Sequence, residues 1–449
     1  MRQYRPDLQV CETAAESRGY LQVDVVNEEN NFPVTDAVVT VQEPGEGGRI
    51  LEELPTDQSG QTEQLELAAP DMALSLESQN TIRPYSVYNL KISAPGYEDA
   101  EITGTEILPG VTAIQPVRLR PVKVSASETE TVRIPGHTLY ETYPPKIAET
   151  EVKPVRESGE IVLSRVVVPQ TVVVHDGVPT DRSAKDYYVP YRDYIKNVAS
   201  SEIYATWPQS SIVANVLAIM SFTLNRVYTE WYRNQGYDFT ITSSTAFDHK
   251  WIYGRDIFDT ISVVVDDIFD SYLSRPDVKQ PILTQYCDGK KVSCPGWMTQ
   301  WGSCALGEQG YSPMEILRNF YGSDLYINTA EQISGIPASY PGTELSTGSR
   351  GDKVRQLQEQ LDAIATVYTA VPSLTPDGIY GPATERSVKA FQSIFGLPQT
   401  GTVDFATWYK ISHIYVAITN PGQWLLKAIG SLTQPLFNQI GRASCRERV

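Results

Sequence analysis

Glu202 closes the run Tyr194-Ile195-Lys196-Asn197-Val198-Ala199-Ser200-Ser201-Glu202, and Trp207-Pro208 follows as a break that can build one wall of a cleft. A lone carboxyl at such a place has two uses: an acid kept protonated by an apolar surround, or a helix-end carboxylate meeting nearby backbone amides. On residue types alone the second use is favoured. Cys287 and Cys294 enclose Asp288-Gly289-Lys290-Lys291-Val292-Ser293, a hairpin whose ends a disulfide would bridge. Such a bridge is worth about 2–3 kcal/mol in an oxidising compartment. Cys304 would make a third thiolate, but no His lies near it in sequence, so zinc at Cys287, Cys294 and Cys304 is disfavoured and no cofactor is expected. Cys11 reads as a free thiol or an interchain link. His137, His175, His249 and His413 are scattered and form no triad pattern with Ser and Asp.

The elements that must position Glu202 lie in a domain predicted over 160–335. A helix beginning near 189 ends at Glu202. A long amphipathic helix over 210–234 follows, with Val213, Val216, Leu217, Met220 and Leu224 inside and the small Ala214, Ala218 and Ser221 permitting close packing. A third helix is predicted over 257–273, a strand over 281–286, and a short helix over 312–321. Two strands, 161–168 and 171–174, open this domain about the turn Pro169-Gln170. Before them, 121–159 is rich in Val, Thr, Pro and Glu and reads as an extended linker.

The flanks differ in kind. Residues 18–120 alternate with period two, and short strands near 20–26, 37–41, 64–67, 88–92 and 117–119 are separated by Pro, Gly and Asp/Asn clusters, the pattern of an all-β sandwich. Residues 345–413 predict three small helices joined by two Gly-centred turns. Val354, Leu357, Leu361 and Ile364 recur at helical spacing, with Asp352 placed to cap. Asp377-Gly378 makes a tight turn, Pro382 opens a helix carrying Val388, Phe391 and Ile394, and Thr400-Gly401 leads to a last short helix through Trp408.

Three resemblances follow from these residues. Asp377-Gly378-Ile379-Tyr380-Gly381-Pro382-Ala383-Thr384, then Val388 and Phe391-Gln392, then Gly401 and Thr407-Trp408, resemble the peptidoglycan-binding domain of bacterial cell-wall hydrolases, with Thr400 where that family usually has Asp. Tyr194 to Glu202, Met298-Thr299-Gln300-Trp301-Gly302, and Glu308-Gln309-Gly310-Tyr311-Ser312-Pro313 with Phe320-Tyr321 resemble the glycan-cleaving domain of stage II sporulation protein D, a lytic transglycosylase family. Pro33 to Val41, Thr56-Asp57-Gln58-Ser59-Gly60 and Ala94-Pro95-Gly96-Tyr97 resemble the prealbumin-like regulatory domain of carboxypeptidases. The second resemblance implies an α/β (α+β) fold with Glu202 as catalytic acid, donating to the glycosidic oxygen and then, as carboxylate, taking the proton of the muramyl 6-hydroxyl. It also implies substrate binding by Gln300, Trp301 and Tyr311. The first implies binding by Asp377, Tyr380 and Trp408. Two departures weaken catalysis: Met220-Ser221-Phe222 stands where the family carries an Arg, and Cys294-Pro295 where it carries a His.

The whole chain is acidic, with a formal net charge of -17, and residues 1–120 hold 20 Asp/Glu against 8 Lys/Arg. That excludes a nucleic-acid binder and simple adsorption to anionic wall polymers, so wall binding must work through hydrogen bonds and stacking. No transmembrane segment and no signal peptide are expected, which is awkward for a protein of the cell wall or spore envelope and fits cytoplasmic synthesis with later release by lysis, assembly into a spore from within, or a start site missing upstream. Residues 414–439 read as a tail with a short amphipathic docking piece, and 440–449 as translated sequencing adapter. The expected protein is a multidomain bacterial peptidoglycan binder of the wall or spore. The alternatives are an active lytic transglycosylase using Glu202 and a non-enzymatic assembly protein, so enzymatic activity is left open.

Overall fold

The computed structural model describes residues 17–122, 129–153, 163–335 and 340–419. The expected adapter stretch, residues 420–439 of the expected tail, and Cys11 lie outside the described residues.

Period-two alternation becomes two sheets. One has the strands Leu65–Ala69, Ser17–Asn27 and Thr112–Leu119 side by side, the last two parallel. The other orders Ile50–Pro55, Val38–Gln42, Ser86–Ser93, Ala100–Ile107 and Glu130–Arg133. Side chains of alternate residues point to one face, which puts Leu21, Val23, Val25, Val39, Val41, Leu90 and Ile92 in a common buried core. The first sheet gains a fourth strand, Ile257–Phe258, paired antiparallel with Thr112–Leu119. A third helix over 257–273 is therefore corrected. Residues 257–258 complete the sheet, the helix is Asp259–Ile268, and Leu273 lies in the strand Ser271–Ser274.

The middle region is built round the helix Gln209–Tyr228, which starts after Pro208 and stops at Thr229, short of the predicted 234. Its apolar residues run round all sides, as a central helix requires. It reaches the length and hydropathy of a membrane span, but 83% of that window is buried inside the protein. The helix Tyr191–Glu202 lies against it and enters after Pro190. The helices Gln300–Glu308 and Pro313–Tyr321 pack on its other sides; the second has a Ser312/Glu315 capping box. In place of a strand over 281–286 there is only the two-residue strand Tyr286–Cys287, parallel to Met298–Thr299. Of the strand over 161–168, Val167–Val168 is observed, and residues 161–162 lie outside the described residues.

The described part of 121–159 is no free spacer. Glu130–Arg133 adds to a sheet, His137 is fully buried, and Glu149 and Lys153 contact the middle region. The chain turns at 138–140, where the Tyr140 and Glu141 N–H groups donate to the His137 carbonyl, and its polar side chains have partners far away in sequence.

The C-terminal region has the helices Asp352–Ala365, Pro382–Ile394 and Phe405–Thr419. Gly351, not Asp352, is the N-cap residue, and Asp352 sits in the first turn where its charge suits the helix dipole. The last helix runs past 413 to Thr419. Gly378 and Gly401 take φ of 76° and 71°, which a side chain rarely adopts. Each turn is held by a buried glutamine. The Gln358 carbonyl accepts the N–H groups of Asp377 and Gly378 (3.0 and 2.7 Å), and the Gln392 carbonyl accepts that of Gly401 (2.8 Å). The region meets the rest of the chain where Arg192 donates to the Tyr409 carbonyl (2.9 Å) and Gln61 to that of Ile394 (2.9 Å).

Candidate functional site

Glu202 is the last residue of its helix, and the chain turns extended at Ile203. Its carboxyl is buried, with 3% of the residue exposed, and reaches the floor of a small cleft of about 70 Å³. One oxygen accepts the Lys250 backbone N–H at 2.6 Å, and the other accepts the Tyr286 phenol. The carbonyl of Glu202 accepts the Gln300 amide at 2.9 Å. Burial pushes the Glu202 carboxyl above its ordinary range, against the opposing pull of the Lys146 ammonium, the Lys250 N–H and Tyr286. A buried acid with two donors on it and an opening to one side is equipped to give up and take back a proton.

The donors are themselves held. His249 stacks on the Tyr286 ring (centroids 5.8 Å apart, 11° between planes) and shares a 3.0 Å hydrogen bond through Nδ1 with the Tyr194 hydroxyl. Burial and the neighbouring Lys146 and Arg226 cations push its imidazole well below the usual range, and among the described residues its Nε2 has no hydrogen-bond partner. Asp248, two residues before Lys250, accepts Arg226 Nε at 2.7 Å, the Tyr232 hydroxyl at 2.6 Å, and the Thr242 N–H and hydroxyl at 2.9 and 2.7 Å. Arg226 also forms a two-pronged pair with Glu149 at 2.6 and 3.0 Å.

The site residues expected from sequence separate. Gln300 lines the cleft with Glu202. Trp301, expected to bind substrate, is only 9% exposed, is not among the residues lining the cleft, and packs its ring at 5.2 Å on Trp207 and 6.1 Å on Tyr204. Tyr311 is exposed but does not line the cleft. In the C-terminal region, Tyr380 and Trp408 are each 1% exposed and belong to the core, Tyr380 donating its hydroxyl to the Gly401 carbonyl at 2.7 Å. Neither can offer a face to a ligand. Asp377 is exposed, but its carboxylate accepts the Ile379 N–H (2.8 Å) and the Gln358 amide (2.9 Å), so it shapes the turn.

Met220 is fully buried, and Ser221 donates to the Ile282 carbonyl at 2.8 Å, so that turn of the helix is core. Arg226, further along the same helix, brings a guanidinium to within 4.9 Å of the Phe222 ring. The structure joins Cys287 and Cys294 in a disulfide, Cα to Cα 5.9 Å, while Cys304 is a buried thiol pushed up to about 12 by burial. Two of the three sulfurs a thiolate site would need are therefore bonded to each other. Among the described residues no three His, Cys, Asp or Glu side chains stand together as metal ligands. Lys146, Tyr286, Asp248, His249 and Lys250 carry no sequence signal, for each gains its role in part from neighbours more than 20 residues away.

Residues 350–411 match the family model of the peptidoglycan binding domain. A zinc D-Ala-D-Ala carboxypeptidase of Streptomyces albus G is 42% identical over 73 residues, 16% of this chain and 27% of that protein. The chain thus spans about a quarter of the length of that relative. Among solved structures, the minor pilin GBS52 of Streptococcus agalactiae aligns at 17% identity, covering 25% of this chain and 48% of the pilin, with a TM-score of 0.18. Catechol 1,2-dioxygenase of Acinetobacter sp. ADP1 aligns at 11% identity over 27% of this chain and 60% of its own, TM-score 0.18. Scores this low carry no argument. The chain therefore contains a helical peptidoglycan-binding domain at 350–411, which associates it with peptidoglycan.

Proposed function

We propose that this is a wall- or spore-associated bacterial protein whose principal activity is to bind peptidoglycan, glycan strand or stem peptide, through its C-terminal region. The match of residues 350–411 to a peptidoglycan-binding family carries this reading. The binding surface must lie on exposed residues of that region, since Tyr380 and Trp408 are buried. The test is retention of the purified chain on purified sacculi. Sedimentation with sacculi is expected, and a chain that stays in the supernatant defeats the reading.

A second reading is favoured by Glu202. A buried carboxyl raised by burial, held by two donors and open to a cleft, has the attributes of the acid that lytic transglycosylases need. In that reading Glu202 protonates the leaving glycosidic oxygen and then withdraws the proton of the muramyl 6-hydroxyl, leaving an anhydro sugar. Release of anhydro-muropeptides from sacculi, abolished in Glu202→Gln with sacculus binding retained, is the expected result. Equal release by both proteins removes Glu202 from the chemistry, and no release by either leaves a binder only.

A further inference from the structure

Residues 136–153, which composition marks as linker, reach Glu202 from outside the region that carries it. The segment is pinned at both ends. Thr138 donates its N–H and hydroxyl to the Ser201 carbonyl at 3.2 and 3.0 Å, one residue before Glu202. Ile147 donates to the Ala246 carbonyl at 2.7 Å, and Gln285 clasps the Ile147 carbonyl and the Glu149 N–H at 2.7 and 2.8 Å. Between these ends Tyr143, Pro144 and Pro145 form one wall of the cleft and deliver Lys146 beside Glu202.

The Lys146 ammonium donates to the Asp248 carbonyl and stands 5.1 and 5.2 Å from the ring centroids of Phe222 and Tyr286. Tyr286 is one of the two donors to the Glu202 carboxyl, and the loop carrying Asp248 supplies the other through the Lys250 N–H. Lys146 thus touches what holds each oxygen of Glu202. We propose that Lys146 is a positioning residue for Glu202, supplied by the 136–153 segment, which fixes both donors and provides the cation that balances the buried carboxyl. This rests on Glu202 being the working acid of the cleft.

The charged and titratable groups facing Glu202 are few. They are Lys146 from the segment, Tyr194 from its own helix, Arg226 from the central helix, Asp248, His249 and Lys250 from one loop, and Tyr286 from a strand. Glu141, Tyr143, Asp288 and Lys291 lie at the rim. Lys146 is the cation that most favours the carboxylate form. Removing its charge must leave Glu202 protonated to higher pH, and the high-pH limb of any acid-dependent reaction must move to higher pH with it.

The experiment uses the full chain labelled with carboxyl-13C glutamate, the Glu202 signal being assigned by its loss in Glu202→Gln. Lys146→Gln keeps a donor to the Asp248 carbonyl and removes the charge, whereas Lys146→Arg keeps the charge. An upward shift of the Glu202 titration in Lys146→Gln, with Lys146→Arg titrating as the parent, is expected. No shift in Lys146→Gln, or an equal shift in both, overturns the proposal. Anhydro-muropeptide release is followed against pH in the same proteins. If the titration shifts as stated but no product forms, the coupling of Lys146 to the Glu202 carboxyl stands and the transglycosylase reading falls. If product forms and the limb in Lys146→Gln stays with the parent, the reading stands and the positioning role falls.

Discussion

Arg226 ties the segment carrying Glu149 to the loop carrying Asp248, and Arg226→Met tests that bridge. The guanidinium is fully buried and bridges two carboxylates from different parts of the chain: Asp248 at 2.7 Å, and Glu149 at 2.6 and 3.0 Å. Methionine fills much of the volume but removes the cation the two carboxylates share. Breaking a buried pair by removing one partner costs about 3–5 kcal/mol. The residual contacts place this case near the lower end. Asp248 keeps Tyr232 and both Thr242 donors, and Glu149 keeps Lys153. A loss of about 3 kcal/mol lowers the melting temperature by about 2–4 °C per kcal/mol, so roughly 6–12 °C, in the transition that includes the central helix. Scanning calorimetry at fixed pH and salt measures it. A double-mutant cycle with Asp248→Asn must be non-additive, because the amide no longer needs the lost cation. A fall of less than about 1 kcal/mol, or strict additivity, would refute the bridging role.

Two further outcomes follow from buried polar groups. Gln392→Met strips the Gly401 N–H and the Thr400, Thr402 and Thr407 oxygens of their shared partner, so the C-terminal region should lose about 2–4 kcal/mol and with it retention on sacculi. Unchanged thermal stability would show that water replaces the amide. Glu106, 2.8 Å from Arg255, is raised by burial from 4.5 to about 7 despite that cation. A carboxyl raised in the folded state adds stability that is full below its unfolded pKa and is lost as pH rises through the folded one. Urea midpoints of the parent should therefore fall relative to Glu106→Gln between about pH 4.5 and 7; parallel profiles would count against it.

How much of this was legible depends on the range of the forces involved. The C-terminal helices follow from apolar residues three and four apart, and the turns from glycines that must take positive φ, both local matters. Which aromatic faces outward is not local. Tyr380 and Trp408 suit a sugar platform by type, yet the packing of three short helices needs their bulk inside. Ile257 and Phe258 extend a helical pattern on paper, but the strand Thr112–Leu119 offers its edge hydrogen bonds and takes them into the sheet. The segment 136–153 is the sharpest case. Its prolines argue against a helix, and the docked segment forms one wall of the cleft. Whether such chain hangs free or docks is decided by Glu149 meeting Arg226 and by Lys146 meeting the Asp248 carbonyl, partners 77 and 102 residues away. Glu202 shows the same logic from the other side. Its type and its place before Trp207-Pro208 mark it as a candidate, but a helix-end carboxylate in water and a buried acid differ only in what covers them. Here part of the cover, from Tyr143 to Lys146, comes from the stretch that composition reads as linker, so the chemistry of the carboxyl and the supposed spacer are one problem.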